Sequence, residues 1–138
     1  MKFKRFATSV AVAGVLAAGH VGIASSAQAA YTDCPRGSAC MWNDADYRPY
    51  GPDASFEYTF DLGTSWLNDD VSSIVNNGYT GYASIAYFYE HSGYKGEWVR
   101  LYAPGQGLQS RDPHLYNGVD EKQIAFNDKI SSATFRNS

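Results

Sequence analysis

Two stretches of the chain carry the same pattern. Residues 67–75 read LNDDVSSIV, and residues 126–135 read FNDKISSATF. In both, Asn-Asp is followed by two variable residues and then by Ser-Ser. A short apolar segment precedes each motif, and a strand-like run follows it. Average composition produces such a hexapeptide on the order of once per ten thousand positions. Two copies therefore predict a duplicated structural unit.

A second pair of segments supports the duplication. Residues 42–51 read WNDADYRPYG and residues 89–96 read YEHSGYKG, so that Trp42 corresponds to Tyr89. These segments are 47 residues apart, whereas the Asn-Asp motifs are 59 residues apart. The second copy therefore carries twelve additional residues, which fall in the Gly- and Pro-rich stretch 103–122.

Strands dominate the predicted secondary structure. Residues 55–60, SFEYTF, alternate aromatic and polar side chains, as expected of one half-buried strand. Short strand-like segments separated by Gly, Asn and Pro predict an all-β sandwich or barrel. We expect two units, at about residues 39–79 and 83–136, packed face to face. Five further segments have strand-like composition: 39–43, 72–75, 84–91, 97–103 and 131–135.

The first 29 residues have the features of a secretory signal peptide. Lys2, Lys4 and Arg5 form a basic start, residues 6–24 are mostly small and apolar, and Ala-Gln-Ala at 27–29 is a cleavage site. A membrane anchor is the weaker interpretation, because polar residues interrupt the apolar run and a spanning helix needs about 20 apolar residues. We expect secretion to the extracellular space and one mature domain of residues 30–138.

The charge of that mature domain excludes several partners. Eight basic residues remain against fourteen acidic ones, so its formal charge is about −6. Nucleic acids and anionic membranes attract Lys and Arg patches, so we expect neither as a partner once the signal peptide is removed. An acidic surface suits cations, and we expect a monomer.

Both cysteines lie close together, as Cys34 and Cys40 in CPRGSAC. In an oxidising compartment, this spacing around a Pro-Arg-Gly-Ser turn predicts one small disulfide loop. Half of a zinc site is the alternative, but His91 and His114 do not have ligand spacing.

The repeated motif offers chemistry suited to calcium. It places two Asn or Asp side chains and two hydroxyls within six residues, and calcium takes six to eight oxygen ligands at about 2.3–2.6 Å. The alternative is that these side chains only satisfy backbone donors in Asx and Ser turns. Turn chemistry explains the residue types, but it does not explain why all four positions are filled twice.

Paired Asn/Asp-Asn/Asp-x-x-Ser/Thr-Ser motifs with a YEHSGYKG hairpin resemble those of the microbial calcium-binding βγ-crystallins. The resemblance covers nearly all of residues 39–136. It implies two Greek-key units forming one β-sandwich with two Ca²⁺ sites between the units. In this family, each ion takes a motif carbonyl, the following Ser hydroxyl, a hairpin-loop carbonyl and an Asx side chain from the paired motif. The implied contributors in the first copy are Asn43, Asn68, Asp69, Asp70 and Ser72. Those in the second copy are Glu90, Asn127, Asp128, Lys129 and Ser131. Ser73 and Ser132 are implied to be structural.

The first hairpin departs from the family pattern. The second copy has Gly96 seven residues after Tyr89, where the family places a glycine with positive φ. The first copy has Pro49 at the corresponding position, with Gly51 two residues later, and proline cannot adopt positive φ. We therefore expect a reshaped first hairpin and a site at Asn43 that binds calcium more weakly or not at all.

A second, shorter resemblance points to another function. CPRGSACMW, at residues 34–42, is similar to the start of secreted bacterial metallopeptidase inhibitors that share the crystallin-like fold. Those inhibitors brace a reactive loop with a second disulfide, for which this chain has no further cysteines. The insertion within 103–122 is a candidate presenting loop, and an ordinary surface loop is the alternative.

Enzymatic motifs are missing from the sequence. It contains no Gly-x-Ser-x-Gly elbow, no His-Glu-x-x-His helix and no phosphate-binding glycine loop. Its alternating aromatic residues are expected in the core rather than in a carbohydrate site. The sequence therefore predicts a non-enzymatic calcium-binding protein, with inhibition of secreted metallopeptidases as the alternative. The alternating aromatic residues that we expect in the core are Trp42, Trp66, Tyr87 and Trp98.

Overall fold

The structure is a computed structural model that describes residues 31–48, 50–81, 84–118 and 124–137. The predicted signal peptide, its cleavage site and Pro49 lie outside the described residues, as do residues 119–123 of the insertion. Within these ranges the chain forms eight strands: β1 (Ala39–Trp42), β2 (Ala54–Phe56), β3 (Thr59–Asp61), β4 (Ser73–Asn76), β5 (Ile85–His91), β6 (Lys95–Tyr102), β7 (Arg111–Asp112) and β8 (Ser132–Arg136). Three single 3-10 turns accompany them: Tyr31–Asp33, Ala45–Tyr47 and Leu115–Asn117. None of the described helices is long and apolar enough to span a membrane.

The strands form two four-stranded antiparallel sheets. Sheet 1 has the order β2-β1-β4-β7, and sheet 2 has the order β3-β8-β5-β6. Each sheet therefore takes three strands from one half of the chain and one from the other, because β3 joins sheet 2 and β7 joins sheet 1. The all-β fold with two sheets and Greek-key connections agrees with the prediction.

The prediction of one strand over residues 55–60 is wrong. The chain leaves sheet 1 after Phe56 and enters sheet 2 at Thr59, so β2 and β3 lie in different sheets. Tyr58 lies between them, and its side chain is 77% exposed, although the alternating pattern places it with the buried face. Alternation predicts which face a side chain occupies within one strand, and it fails where the strand changes sheets.

The core combines residues of both sheets and both repeated motifs. Phe56 of sheet 1 contacts Phe88 of sheet 2 edge to face, with ring centroids 6.0 Å apart. The apolar residues that precede each motif, Leu67 and Phe126, are also fully buried in this core. Burying each such large apolar side chain stabilises the fold by about 1.5–3 kcal/mol. The motifs are therefore anchored directly on the core.

The predicted disulfide between Cys34 and Cys40 is present. It belongs to a second apolar cluster with Trp42, Tyr47 and Val75, against which Tyr31 packs. The rings of Trp42 and Tyr47 lie 5.3 Å apart. Burial raises the pKa of the Tyr47 hydroxyl far above its usual value. This cluster ties the amino-terminal segment to sheet 1.

The prediction that the alternating aromatic residues are core residues holds for Trp42 and fails for Trp66. Trp42 is fully buried, whereas Trp66 is 65% exposed in the turn before the first motif. Tyr87 and Trp98 are half-buried and lie 5.1 Å apart. Tyr87 alternates with buried Phe88, so the rings of Tyr87 and Trp98 cover the outer face of sheet 2 instead of its core face. Period-two patterning cannot distinguish the two faces of a sheet when both carry rings.

Candidate metal site

The two repeated motifs, residues 68–73 and 127–132, lie against each other. The backbone N–H of Asp69 donates to the carbonyl of Ile130 at 3.1 Å, and that of Asp128 donates to Val71 at 3.0 Å. Asp69 and Asp128 have φ values of 57° and 55°. Asp tolerates this left-handed conformation better than most residues. The second Asx of each motif therefore occupies the same turn position and faces the other motif.

Each motif is also bonded to the aromatic residue that begins its own hairpin. Ser72 N–H donates to the Trp42 carbonyl, and Ser131 N–H donates to the Tyr89 carbonyl, both at 2.9 Å. These bonds bring Asn43 and Glu90, the residues that follow the aromatics, to the edges of the motifs. The predicted loop contributors are therefore next to the predicted motif contributors.

The most complete grouping lies beside the second hairpin. The Ser131 hydroxyl donates to Oδ1 of Asp69 at 2.8 Å, across 62 residues of sequence. A cavity of about 350 Å³ opens at this point. It brings together five of the predicted contributors with His91 and Ser92 of the hairpin; the five are Asp69, Glu90, Asp128, Lys129 and Ser131.

The corresponding positions beside the first hairpin are bonded differently. Asn43 donates through its side-chain nitrogen to Oδ2 of Asp70 at 2.6 Å. Its backbone N–H donates to Oδ2 of Asp53 at 2.8 Å. The hairpin itself is two residues longer, because Met41 pairs with Ala54, whereas the equivalent residue Phe88 pairs with Val99. The extra length matches the displacement of Gly51 relative to Gly96 in the sequence.

Asn68 and Asn127 are placed to support the neighbouring carboxylates. The side-chain nitrogen of Asn68 donates to Oδ2 of Asp69 at 2.9 Å, and that of Asn127 donates to Oδ2 of Asp128 at 2.6 Å. In each motif the Asn side chain therefore donates to the carboxylate of the Asp that follows it, and the Asp69 carboxylate also contacts Ser131 of the paired motif.

The last serine of each motif fastens its hairpin, as the resemblance implies. The Ser73 hydroxyl donates to the carbonyl of Asp44 at 2.7 Å and accepts from Tyr47 N–H at 3.2 Å. In the same way, the Ser132 hydroxyl donates to His91 at 2.7 Å and accepts from Tyr94 N–H at 3.0 Å. Both serines are completely buried. Each hairpin is therefore fastened to its own motif by a buried hydroxyl.

Asp61 is a supporting residue that the sequence reasoning missed. Its Oδ2 accepts from the backbone N–H of Gly93 at 2.9 Å, at the tip of the second hairpin. This bond holds the pKa of the Asp61 carboxyl below its usual value. Because Asp61 lies in β3 and 32 residues upstream, no local motif could have identified it.

The donor set fits a hard cation. Within the described residues, no three His, Cys, Asp or Glu side chains come together as a metal-binding group. The groups that meet at Asp69 and Ser131 are instead a carboxylate and a hydroxyl. Calcium accepts such mixed oxygen ligands, whereas zinc in proteins is held mostly by sulfur and imidazole nitrogen.

Two four-stranded sheets that exchange one strand each, with paired hairpin-and-motif units, form the fold of βγ-crystallin domains. A solved structure reported as "Evolution of the eye lens beta-gamma-crystallin domain fold" has 21% sequence identity and a TM-score of 0.54, covering 75% of this chain and 88% of its own. A βγ-crystallin from Ciona intestinalis has 19% identity and a TM-score of 0.51, covering 72% of this chain and 100% of its own. No curated protein matches the chain.

The family is more specific than the fold. A family model described as peptidase inhibitor family I36 matches residues 27–101. The chain therefore belongs to this family. The match includes the disulfide, the first motif and most of the β5–β6 hairpin, and it ends before the second motif.

Proposed function

We propose that this protein binds calcium where its two motifs meet, and that calcium stabilises the domain. The observation that carries the proposal is the 2.8 Å contact between the Ser131 hydroxyl and Asp69 Oδ1. It joins a hydroxyl of one motif to a carboxylate of the other, which are two oxygen ligands of the kind that calcium prefers.

Two sites follow from the repeat. One would use the carbonyls of Glu90 and Lys129, the Ser131 hydroxyl and the Asp69 carboxylate. The equivalent site would use the carbonyls of Asn43 and Asp70, the hydroxyl of Ser72 and the carboxylate of Asp128. The acidic mature chain supports the proposal, because a bound cation relieves repulsion among carboxylates.

Thermal unfolding of the mature chain tests calcium binding. We expect the melting temperature to rise by about 10–20 °C when chelator is replaced by calcium at a hundredfold excess over the dissociation constant. Such an excess stabilises the native state by about 2.7 kcal/mol, and 1 kcal/mol shifts a domain of this size by about 4–8 °C. Magnesium at the same concentration is the control. An identical melting temperature in chelator and calcium would reject the proposal.

We also propose that the chain acts as a non-enzymatic inhibitor of secreted metallopeptidases. Its membership of the I36 peptidase inhibitor family favours this function. Titration of a thermolysin-like metallopeptidase with the mature chain, followed with a short peptide substrate, provides the test. Undiminished hydrolysis at a large excess of the chain would contradict it.

Secretion is part of the same proposal. The predicted signal peptide and the disulfide between Cys34 and Cys40 both suit an oxidising extracellular compartment. Expression of the full chain in a secreting host should give a mature protein that begins at Ala30. Mass spectrometry of the exported protein measures this, and a retained, uncleaved chain would oppose it.

A further inference from the structure

Residues 103–110, APGQGLQS, form a loop that crosses between the two sheets. The loop begins at the end of β6 in sheet 2 and leads into β7 in sheet 1. It lies beyond residues 27–101, so the family match does not cover it.

Backbone hydrogen bonds fix both sides of the loop at its base. Tyr102 N–H donates to the Gln109 carbonyl at 2.9 Å, and Asn76 N–H donates to the Ser110 carbonyl at 2.8 Å. Tyr102, Ala103 and Asn76 are buried. The loop therefore starts and ends on rigid elements of the two sheets.

Two glutamine side chains brace the loop from within. Gln106 donates through Nε2 to the Ser84 hydroxyl at 3.0 Å and accepts through Oε1 from Ala103 N–H at 3.2 Å. Gln109 donates through Nε2 to the Arg111 carbonyl at 3.0 Å and to Asp112 Oδ2 at 3.1 Å. These bonds hold the loop in one shape without a disulfide.

The tip of the loop stands clear of the protein and carries an apolar side chain. Gly105 and Gly107 have φ values of 92° and 75°, and a Cβ atom on either would meet no heavy atom within 4 Å. Leu108 follows at the tip and is 49% exposed. Among the described residues, Leu108 and Ile124 are the exposed large aliphatic side chains.

We infer that the loop of residues 103–110 is the peptidase-contacting segment, and that Leu108 enters an apolar specificity pocket of the target enzyme. The inference rests on the proposed inhibitor function and names the residue that contacts the enzyme. A loop that is ordered before association does not lose its conformational entropy on binding, which strengthens inhibition. A peptidase that cleaves beside large apolar residues has an apolar specificity pocket. Transfer of an exposed Leu side chain from water into such a pocket is favourable.

Inhibition constants of Leu108 variants against a thermolysin-like metallopeptidase test the inference. Leu108→Asp should raise the inhibition constant at least about tenfold, because the transfer of a Leu side chain out of water is lost. Leu108→Met should change it by less than about tenfold, since it conserves volume and apolar character. Ile124→Asp is the matched control and should leave inhibition unchanged. All three melting temperatures should stay close to that of the wild-type chain, because these side chains are exposed.

The Gln106→Ala variant tests the hydrogen bonds that hold the loop separately from the contact made by Leu108. It keeps Leu108 but removes the bonds to Ser84 and Ala103, so we expect inhibition to weaken by about three- to tenfold as the loop loses its fixed shape. Full inhibition by both Leu108→Asp and Gln106→Ala would overturn the inference and leave the inhibitor function standing. Absence of inhibition by the wild-type chain itself would reject both.

Discussion

Asp69 and Asp128 occupy equivalent positions in a reciprocal backbone pairing. Asp69 N–H donates to Ile130 in the second motif, and Asp128 N–H donates to Val71 in the first. Both residues have left-handed φ, and each receives a bond from the asparagine before it. The repeat in sequence is therefore a repeat in the three-dimensional backbone, in which each motif donates a hydrogen bond to the other.

Removal of one hydroxyl should disable one of two calcium sites. Ser131→Ala deletes a proposed ligand and the bond to Asp69, so we expect one site to lose at least about tenfold in calcium affinity. The apo fold should lose only about 1 kcal/mol, the net contribution of one hydrogen bond. Isothermal titration calorimetry measures both sites, and Ser72→Ala is the matched variant for the other one. Unchanged calorimetric curves for both variants would exclude these serines as ligands.

The two structural serines should affect stability instead. Ser132→Ala removes a completely buried hydroxyl that donates to the His91 carbonyl and accepts from Tyr94 N–H. We expect the free energy of unfolding to fall by about 1–3 kcal/mol in the absence of calcium. Urea denaturation measures this loss.

Ser55→Ala provides the control for that measurement, because Ser55 is exposed on β2. It should change stability by less than about 0.5 kcal/mol. Equal effects of Ser132→Ala and Ser55→Ala would show that the hairpin does not depend on the buried hydroxyl.

The disulfide should stabilise the domain modestly. It links residues six apart in sequence, and closing so short a loop restricts the unfolded chain by about 2 kcal/mol. Replacement of both Cys34 and Cys40 by Ala should therefore lower the free energy of unfolding by about that amount, as measured by urea denaturation. Addition of reductant to the wild-type chain should reproduce the shift, and an unchanged urea midpoint in both cases would contradict it.

Asp112 should make stability depend on pH. Burial raises the pKa of its carboxyl, while bonds from His114 N–H and Gln109 partly offset that effect. The folded protein then binds this proton more tightly than the unfolded chain does. Its contribution to stability is therefore present below the ordinary Asp pKa and is lost as the pH rises through the raised value.

Asp112→Asn removes this titration. The free energy of unfolding of this variant, relative to that of the wild-type chain, should increase as the pH rises from the ordinary Asp pKa through the raised pKa of Asp112. Urea denaturation at a series of pH values provides the measurement. A constant difference between the two proteins at every pH would show that Asp112 does not titrate abnormally.

The sequence predicted the repeat, the disulfide and most strands, because each depends on local pattern. It did not predict the break between Phe56 and Thr59, where one alternating run serves two sheets. It also missed the exposure of Trp66, since a ring in a turn has the same composition signal as a ring in the core. Only tertiary structure shows these differences, because they depend on which sheet a segment joins.

The sequence named candidate residues for the site but not the individual contacts between them. The family resemblance implies that an Asx side chain of one motif lies beside the serine of the other, but the sequence does not indicate that Asp69, rather than Asn68, is the residue that contacts Ser131. The roles of Asn68 and Asp61 were also hidden. They act through hydrogen bonds to neighbours, and residue type alone does not reveal such contacts.

In the proposed arrangement, each calcium ion is bound by residues of both motifs. This arrangement makes a prediction that differs from that of two sites each contained within one unit. Asp69 contacts Ser131, so Asp69→Asn and Ser131→Ala should weaken the same calcium site although they lie in different motifs. Their effects on calcium affinity should therefore be less than additive in the double variant, since residues of one site are coupled. Ser131→Ala combined with Asp128→Asn should instead impair both sites. Calorimetric titration of the two double variants distinguishes these cases. Loss of both sites in the Asp69→Asn, Ser131→Ala variant, with one site intact in the Asp128→Asn combination, would show that each unit binds its own ion.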